Sequence, residues 1–351
     1  MSEQRQGQLS RIVIKGFKSI KDCDLDLNNI NVLIGSNGAG KSNFISVFEL
    51  LQNIIGQSLQ LYGKKKGANT IFCNGTKTTD SIFLEFHFDG IDSISFEIGI
   101  SDNNSLFLYD RPSPLNDLRR VSEEYSGHNI PALREGQLRV YHFNDTGATS
   151  RIKVEHNLSN SNALLWDASN LAAFLFRLRK HYEVEYKKII KAVQRIAPYF
   201  QDFILKPEEE NNELVYLRWQ EKGCEELFNP SQLSDGTLRF VCLATLLLQP
   251  TSLQPATIII DEPELGLHPY AITIFAELVK KAAAKKQIIL ATQSLELLDH
   301  FEAEDVIVVD RGGNGSILKR LDTMQLAAWL EDDYTLGELW KKNVFGGRIS
   351  R

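Results

Sequence analysis

Cysteine is scarce in this sequence, and the cysteines that are present lie far from one another. The four are Cys23, Cys73, Cys224 and Cys242, and no two of them form a Cys-x-x-Cys pair. This spacing excludes the common cysteine zinc sites and a disulfide framework. The pattern favours a protein of the reducing cytosol.

Long apolar runs are also absent. The longest, FVCLATLLL and ATIIID, fall far short of the roughly 20 residues that a membrane-spanning helix needs. The N-terminal stretch MSEQRQGQLS is polar and lacks the apolar centre of a signal peptide. We therefore expect a soluble, cytoplasmic protein without a membrane partner.

The sequence has no excess of positive charge. The formal net charge of the 351 residues is −6 at pH 7, which argues against DNA binding by the charge of the whole surface. A local basic site is compatible with that sum, and the run Lys64-Lys65-Lys66 could contact DNA. A solvated loop is the competing interpretation, because three lysines neutralise few phosphates.

What the sequence does contain is an alternation of strand and helix patterns. The runs ATIIID, QIILAT and DVIVVD are typical of strands buried on both faces of a parallel sheet. Helical patterns occupy 41–55, 237–249 and 269–286, and a longer one covers 162–200. SIFLEFHF and SISFEIGI predict two strands joined at Asp89-Gly90, whereas 57–80 is typical of a loop. This order predicts an α/β fold.

The segment GSNGAGKS fits the phosphate-binding pattern G-x-x-x-x-G-K-[ST] and lies between a predicted strand and a predicted helix. Backbone N–H groups of such a loop wrap phosphates at a helix N-terminus. We expect Lys41 to neutralise the β- and γ-phosphates of ATP and the Ser42 hydroxyl to bind Mg²⁺. The nucleotide-binding residues are then Gly35, Ser36, Asn37, Gly38, Ala39, Gly40, Lys41 and Ser42. A chance glycine-rich turn is the alternative.

A second acidic group at the metal is expected from the segment TIIIDE. The strand delivers Asp261 at its carboxyl end, where open α/β sheets bind ligands. We expect Asp261 to hold Mg²⁺ through water and Glu262 to orient the attacking water. The alternative is a pair of helix-capping carboxylates before Pro263.

The strand QIILAT is expected to lie beside ATIIID and to end at Gln293. A polar side chain at that position can reach the γ-phosphate or the attacking water. Gln293 is therefore a candidate γ-phosphate sensor. A polar residue that caps the helix SLELLDHF is the other interpretation.

Ser234, Asp235 and Gly236 begin the helix that carries TLRFVCLATLLLQ. Free N–H groups and the positive end of the helix dipole make such a tip able to bind an anion. The chain already has one phosphate cradle at 35–42, so this tip could serve a nucleotide that another copy of the protein holds.

Three motifs together resemble those of ABC-type ATPases of the RecF, OLD and SMC branch. LSDGT resembles the ABC signature, DEPELGLHP resembles a joined Walker B motif and D-loop, and RIVIKGFKSI precedes NVLIGSNGAGKSNF as in that branch. The similarity covers about residues 10–345. It implies an ABC-type P-loop NTPase with a mixed/parallel central sheet, an antiparallel β subdomain and a helical lobe that carries the signature motif.

The resemblance also implies roles for individual residues. Ser234, Asp235 and Gly236 would bind the nucleotide of the opposing subunit, and 264–268 would form the D-loop. Asn43 and Lys18 would contact the nucleotide, and a solvated strand residue is the alternative for Lys18. Asp145, or its neighbour Asn144, would contact the metal from the segment YHFNDTG, although an ordinary Asn-Asp turn explains that segment equally well.

The same resemblance predicts three regions. Residues 1–145 form the N-terminal ATPase lobe with Walker A and antiparallel strands, 146–250 form the helical lobe with the signature motif, and 251–351 form the C-terminal ATPase lobe. The stretch 162–200 is too short for SMC coiled-coil arms. Too few residues follow Pro269 for the toprim nuclease domain of OLD proteins, so we expect a separately encoded effector.

The function implied is that of an ATPase that dimerises around two ATP, as a homodimer or a higher oligomer, in DNA repair or anti-phage defence. A nucleotide-binding subunit of an ABC transporter is one alternative. Gln293, LSDGT and the start Phe17-Lys18-Ser19 count against it. A scaffold that binds ATP without hydrolysing it is the other alternative.

Overall fold

The computed structural model describes residues 8–109, 137–324, 326, 329 and 334–346. The chain divides into two compact units. The first comprises Met1–Val140, Pro255–Asp261 and Lys286–Arg351, and the second comprises Tyr141–Gln254 and Glu262–Lys285. The predicted division into three functional lobes stays a prediction.

A six-stranded mixed sheet in the order β16-β15-β3-β14-β13-β7 contains the strands that the sequence predicts as buried. β13, β14, β3 and β15 run parallel in that succession, and β16 pairs antiparallel with β15. All six residues of β14 are buried, which accounts for its continuous apolar sequence. The bounds are β3 Ile30–Ile34, β7 Leu138–Tyr141, β13 Thr257–Asp261, β14 Gln287–Thr292, β15 Val306–Gly312 and β16 Gly315–Arg320.

A separate five-stranded antiparallel sheet has the order β2-β1-β4-β5-β6. Its strands are β1 Leu9–Phe17, β2 Ile20–Asp26, β4 Ile82–Phe88, β5 Ile91–Ile100 and β6 Leu106–Leu108. The hairpin of β4 and β5 turns at Asp89-Gly90, as the sequence predicts, and Gly90 has a φ of 73°. Side chains of β4 alternate between buried and half-buried, since one face covers the core.

The first unit contains helices in one region where the sequence predicts a loop. Within the described residues the helices of this unit are α1 Lys41–Ile55, α2 Leu59–Lys66, α3 Ala68–Ile71, α8 Leu295–Leu298 and α9 Leu336–Lys341. The expected loop at 57–80 is therefore wrong over α2 and α3. Leu59 and Tyr62 are buried and lie three residues apart, which is a helical spacing. The lysines in the last turn of α2 interact favourably with the negative end of the helix dipole.

The second unit is built around four helices: α4 Leu171–His181, α5 Glu183–Ile196, α6 Asp235–Leu248 and α7 Pro269–Ala283. The predicted helical stretch 162–200 is divided at Tyr182, and its first part is a loop. Asn170 holds that loop, because its amide donates to the carbonyls of Asn160 and Ala163 and its oxygen accepts from the Leu165 N–H. These side-chain bonds replace helical ones.

Short strands complete the second unit. β12-β11-β9 form a three-stranded sheet and β10-β8 a two-stranded one. The strands are β8 His156–Asn157, β9 Phe200–Ile204, β10 Leu214–Val215, β11 Arg218–Glu221 and β12 Leu227–Phe228. The 3₁₀ helices of the chain include Arg151–Lys153, Leu158–Asn160, Pro230–Gln232 and Ala303–Asp305. No helix within the described residues is long and apolar enough to cross a membrane.

Candidate nucleotide-binding site

The phosphate-binding loop connects β3 to α1, and its glycines are required by the backbone. Gly38 and Gly40 have φ values of +77° and +124°, which L-residues rarely adopt. A Cβ on Gly35 would lie 2.3 Å from the Val309 carbonyl oxygen, so β15 approaches the loop closely. No atom lies within 4 Å of a Cβ placed on Gly38, so this part of the loop is open.

Lys41 is the first residue of α1, and its side chain bends back over the loop. The Nζ atom donates to the Gly35 carbonyl at 2.7 Å and to the Ser36 carbonyl at 3.1 Å. The ammonium group is thereby buried at the centre of the loop. A cation in this position faces the place where a phosphate would bind.

The N-terminus of α1 also fits an anionic ligand. Its cap residue Gly40 has no side chain to bond the first N–H groups, and no acidic residue lies in the first turn. Those N–H groups lack helical partners and carry the positive end of the dipole. Ser42 lies exposed in the same turn. These features fit a phosphate with an adjacent metal ion.

A chain of hydroxyl groups supports the loop from the C-terminal hairpin. The Asn43 amide donates to Ser19 Oγ at 2.7 Å, and Ser19 and Ser316 share a hydrogen bond of 2.7 Å. Ser316 Oγ in turn donates to the Ala39 carbonyl at 2.5 Å. A Cβ on Gly40 would lie 2.1 Å from Ser316 Oγ, so the hairpin leaves no room there. No sequence motif marks Ser316.

Two further groups approach the loop and α1. Arg311 Nη1, on β15, donates to the Gly38 carbonyl at 3.3 Å. Lys18 has a φ of 47° and places Nζ 2.7 Å from Ser46 Oγ on α1. Burial lowers the pKa of the Lys18 amine. Its contact with the nucleotide stays a prediction, as does that of Asn43, whose amide bonds Ser19 here.

Asp261 ends β13 and Gln293 follows β14, and β14 lies between β13 and β3, which leads into the phosphate-binding loop. Thr292 of β14 pairs with Ile34 of β3, and Asp261 of β13 pairs with Ala291 of β14. The loop after β3, the end of β13 and the residue after β14 therefore lie at one edge of the sheet. Ser294, not Gln293, caps α8, because its side chain accepts from the Leu297 N–H at 3.1 Å.

Glu262 follows Asp261 and has a left-handed backbone with a φ of 49°. This conformation costs a non-glycine residue on the order of 1–2 kcal/mol. Strain of this kind is found at functional positions, where the surrounding structure enforces it. The sequence pattern gives no indication of this strain.

The second unit contains the Ser-Asp-Gly tip, which begins α6 as predicted. Ser234 is the N-cap residue, and its Oγ accepts from the Thr237 N–H at 3.1 Å. The exposed Asp235 carboxylate lies 3.3 Å from Lys153 Nζ, whose side chain is only 9% exposed. A Cβ on Gly236 would lie 2.3 Å from the Gly266 carbonyl oxygen. Sequence reasoning did not identify Lys153.

The loop 262–268 packs against that tip within the second unit. Gly266 has a φ of +74°, and Leu267 N–H donates to the Glu264 carbonyl at 3.0 Å. His268 caps α7, and Pro269 begins it. Leu265 is half exposed. The loop has the position in the chain that the D-loop prediction requires.

The segment after β7 is a turn with exposed Asn144 and Asp145 side chains. Ser150 Oγ donates to the Asp145 carbonyl at 2.7 Å. Arg239, on α6, donates from Nε to the Phe143 carbonyl and from Nη2 to the Asn144 carbonyl. Whether Asp145 contacts a metal stays a prediction. Arg239 is a further residue that the sequence analysis missed.

Among the described residues, no three His, Cys, Asp or Glu side chains group to hold a metal ion. The expected donors Ser42 and Asp261 are both oxygen ligands. Mg²⁺ favours oxygen, keeps several waters and is bound through few protein groups together with substrate phosphates. The donor set therefore fits Mg²⁺ that arrives with a nucleotide.

Comparisons with known proteins identify the family of the chain. The family described as "AAA domain, putative AbiEii toxin, Type IV TA system" matches residues 30–299. An OLD nuclease of Thermus scotoductus is 24% identical over 338 residues, which are 86% of this chain and 62% of that protein. The DNA replication and repair protein RecF of Vibrio campbellii is 34% identical over 94 residues, covering 26% of this chain and 24% of RecF. The chain thus spans less than two thirds of either relative.

Solved structures share the fold at low sequence identity. An SMC head bound to the C-winged helix domain of ScpA has a TM-score of 0.64 at 14% identity, covering 90% of this chain and 98% of that one. An SMC head with an extended coiled coil, bound to the C-terminal domain of ScpA from Pyrococcus furiosus, has a TM-score of 0.62 at 13% identity, with coverages of 93% and 99%. The chain belongs to the AAA domain family named above, and these similarities together support an ABC-type ATPase head of the RecF, OLD and SMC type.

Proposed function

We propose that the chain binds and hydrolyses ATP in a dimer that encloses two nucleotides. The observation that carries the proposal is the edge of the mixed sheet in the first unit. There three neighbouring parallel strands end, β3 at the phosphate-binding loop, β13 at Asp261 and β14 just before Gln293. Ligands bind open α/β sheets at such carboxyl ends.

The loop residues bind and orient the triphosphate. N–H groups of the loop and of the first turn of α1 surround the phosphate oxygens, and Lys41 neutralises their charge from its position over the loop. Mg²⁺, when bound by Ser42 and Asp261, would offset charge between the β- and γ-phosphates. Asn43, through Ser19, keeps the loop in place.

Glu262 positions the attacking water and accepts its proton. The water oxygen forms a bond to the γ-phosphorus while the bond from that phosphorus to the bridging oxygen of ADP breaks. Gln293 lies after the neighbouring strand and orients the same water or the γ-phosphate. The strained backbone of Glu262 supports this assignment, because the fold maintains it at a cost.

The tip at Ser234 to Gly236 contributes to the nucleotide of a second copy. One chain has one phosphate-binding loop and one such tip, and the tip presents a capped helix N-terminus at the start of α6. An anion bound there is stabilised by N–H groups and the helix dipole. Two copies then complete two sites, each with a loop from one subunit and a tip from the other.

We propose a role in DNA repair or anti-phage defence together with a separately encoded effector. A relative is an OLD nuclease and another is a DNA replication and repair protein. Two SMC heads of this fold were solved with a domain of ScpA bound, so a head of this type can carry a protein partner. Co-purification with the product of a neighbouring gene tests the effector.

Phosphate release measured for three proteins tests the enzymatic part. Wild type should release phosphate from ATP, and both Lys41→Ala and Glu262→Gln should lose at least tenfold in rate. Lys41→Ala should also lose ATP affinity, whereas Glu262→Gln should keep it, because the carboxylate acts on water. A wild type that binds ATP but releases no phosphate, with DNA and partner present, would instead support the ATP-binding scaffold.

A further inference from the structure

Arg239 is a buried cation one turn behind the Ser-Asp-Gly tip of α6. Its side chain is 6% exposed. Nε donates to the Phe143 carbonyl at 2.9 Å, and Nη2 donates to the Asn144 carbonyl at 3.0 Å. Two neighbouring nitrogens thus bind two successive carbonyls of the segment that follows β7. This forked contact fixes both the direction of the side chain and the position of that segment.

The same guanidinium lies beneath the loop 262–268. A Cβ placed on Gly266 would be 3.0 Å from Arg239 Nη1, so the loop backbone lies directly against the guanidinium. The Gly266 carbonyl in turn lies 2.3 Å from a Cβ placed on Gly236. Arg239, Gly266 and Gly236 therefore form a continuous contact from the buried side of α6 to its tip, within the second unit.

The guanidinium does more at this position than fill space. Its hydrogen bonds go to two backbone carbonyls, and the charges of Asp235 and Glu264 favour its charged form. Burial lowers the pKa of Arg239, because desolvation disfavours its charged form. An apolar side chain would fill the space without that desolvation cost, but it would leave the Phe143 and Asn144 carbonyls without these hydrogen bonds. What arginine adds is its pair of directed donors and a positive charge behind the helix N-terminus.

The two directed donors and the positive charge of Arg239 both affect the Ser-Asp-Gly tip. The position of the first-turn N–H groups of α6 depends on the contact between Gly236 and Gly266, and Arg239 fixes Gly266 from below. A bound phosphate is sensitive to displacements of under an ångström in groups that orient it. The buried charge also adds to the positive end of the dipole of α6, which favours an anion there.

We infer that Arg239 is a positioning residue for the tip that one subunit presents to the nucleotide of the other. The inference rests on the proposed function, since it requires a dimer with two shared sites. Arg239 itself touches no nucleotide. It acts through Gly266 and Gly236, and its loss harms the partner's site while its own phosphate-binding loop stays intact.

Mixing two inactive variants tests this directly. A dimer of Arg239→Met with Lys41→Ala has one site in which both halves are defective. Its other site combines the intact loop of the Arg239→Met subunit with the intact tip of the Lys41→Ala subunit. We expect each variant alone to lose at least tenfold in ATP turnover, and the equimolar mixture to recover roughly a quarter of the wild-type rate, because half of randomly formed dimers contain one complete site.

Control variants separate positioning from folding. Arg195→Met removes an exposed arginine of the same unit that pairs with Glu277, and it should keep wild-type turnover. Arg239→Lys keeps the charge without the fork, so it should keep ATP affinity within threefold and lose kcat with little change in KM. This variant preserves the test if Arg239→Met does not fold.

Mixing Ser234→Arg with Lys41→Ala is the benchmark for the shared site. If the benchmark recovers activity and neither Arg239 variant does when mixed, Arg239 acts on its own site or on folding, and the inference is wrong while the proposed function survives. If the benchmark also fails to recover, the shared site itself is refuted and the inference with it. Wild-type turnover by Arg239→Lys alone would equally overturn the inference.

Discussion

The carbonyl oxygen of Gly266 occupies the space beside the α-carbon of Gly236, only 2.3 Å from where a β-carbon would be. Real Cβ atoms are almost never found so close to a backbone oxygen. The first turn of α6 and the loop 262–268 therefore touch backbone to backbone, and any side chain at 236 must displace one of them. Gly236 therefore has a packing role in addition to the role toward phosphate that we propose for it.

Gly236→Ala should accordingly separate nucleotide binding from turnover. We expect ATP affinity to stay within threefold of wild type, because the phosphate-binding loop is untouched, and kcat to fall at least tenfold. Titration with a fluorescent ATP analogue and a phosphate-release assay measure the two quantities. Gly313→Ala is the control, since no atom lies within 4 Å of a Cβ placed there. Normal turnover by Gly236→Ala would disprove the tight contact.

The ion pair of Lys153 and Asp235 should be important for turnover, because it offsets a negative charge on the tip that we propose binds phosphate. Asp235 is exposed, so the coupling is expected to be modest, about 0.5–1 kcal/mol, or roughly two- to fivefold in kcat/KM. Lys153→Met should lower kcat/KM by that factor. Lys153→Met combined with Asp235→Asn should recover it.

A double-mutant cycle of these substitutions provides the readout. If Lys153→Met remains impaired when Asp235→Asn is added, Lys153 acts on something other than the charge of Asp235. The exposed pair of Lys187 and Glu183 on α5 is the control cycle, for which we expect no coupling in kcat/KM.

Ser316→Ala should weaken ATP binding, because the Ala39 carbonyl and the Ser19 hydroxyl both lose a partner. A buried polar group left without its hydrogen bond costs about 1–3 kcal/mol, and part of this cost appears as loss of loop order. We expect the Kd for ATP to rise about three- to tenfold. Calorimetric titration measures it, with Ser93→Ala, which removes an exposed hydroxyl on β5, as the control. An unchanged Kd would show that the hairpin does not support the loop.

The lysines at the end of α2 should contribute little to DNA binding. All three lysines are exposed, and Lys66 pairs with Glu49 at 3.0 Å. Lysines at a helix C-terminus already have a structural role toward the dipole. We expect Lys64→Glu with Lys65→Glu to change the slope of log Kd against log salt concentration by less than about 1. A decrease of about 2 would instead assign both lysines to phosphates.

Local patterns predict the central part of the site. The buried strands β13 and β14, the loop at 35–42 and the cap at Ser234 each follow from residues within a few positions of one another. Periodicity and capping chemistry are encoded at that range, so the sequence alone indicates them. The sequence fails to predict α2 and α3 for the same reason. The lysines of this segment make the helical spacing of the buried residues Leu59 and Tyr62 hard to recognise.

Contacts between distant segments could not be predicted in this way. Ser316 lies 277 positions from Ala39, and Arg239 lies 96 positions from Phe143. Neither belongs to a motif, and both bind backbone carbonyls, which every residue has. Only the folded chain shows that a serine of the last hairpin supports the phosphate-binding loop and that an arginine of α6 lies beneath Gly266.

The dimer around two ATP is the central claim, and the mass of Glu262→Gln in solution with saturating ATP and Mg²⁺ tests it most directly. Sedimentation velocity should show a dimer with ATP and a monomer without it, because the variant binds ATP and cannot hydrolyse it. Adding Ser234→Arg should return the protein to a monomer while ATP affinity is kept. A monomeric Glu262→Gln protein at saturating ATP, or an ATP-induced dimer that Ser234→Arg leaves intact, would contradict the shared site.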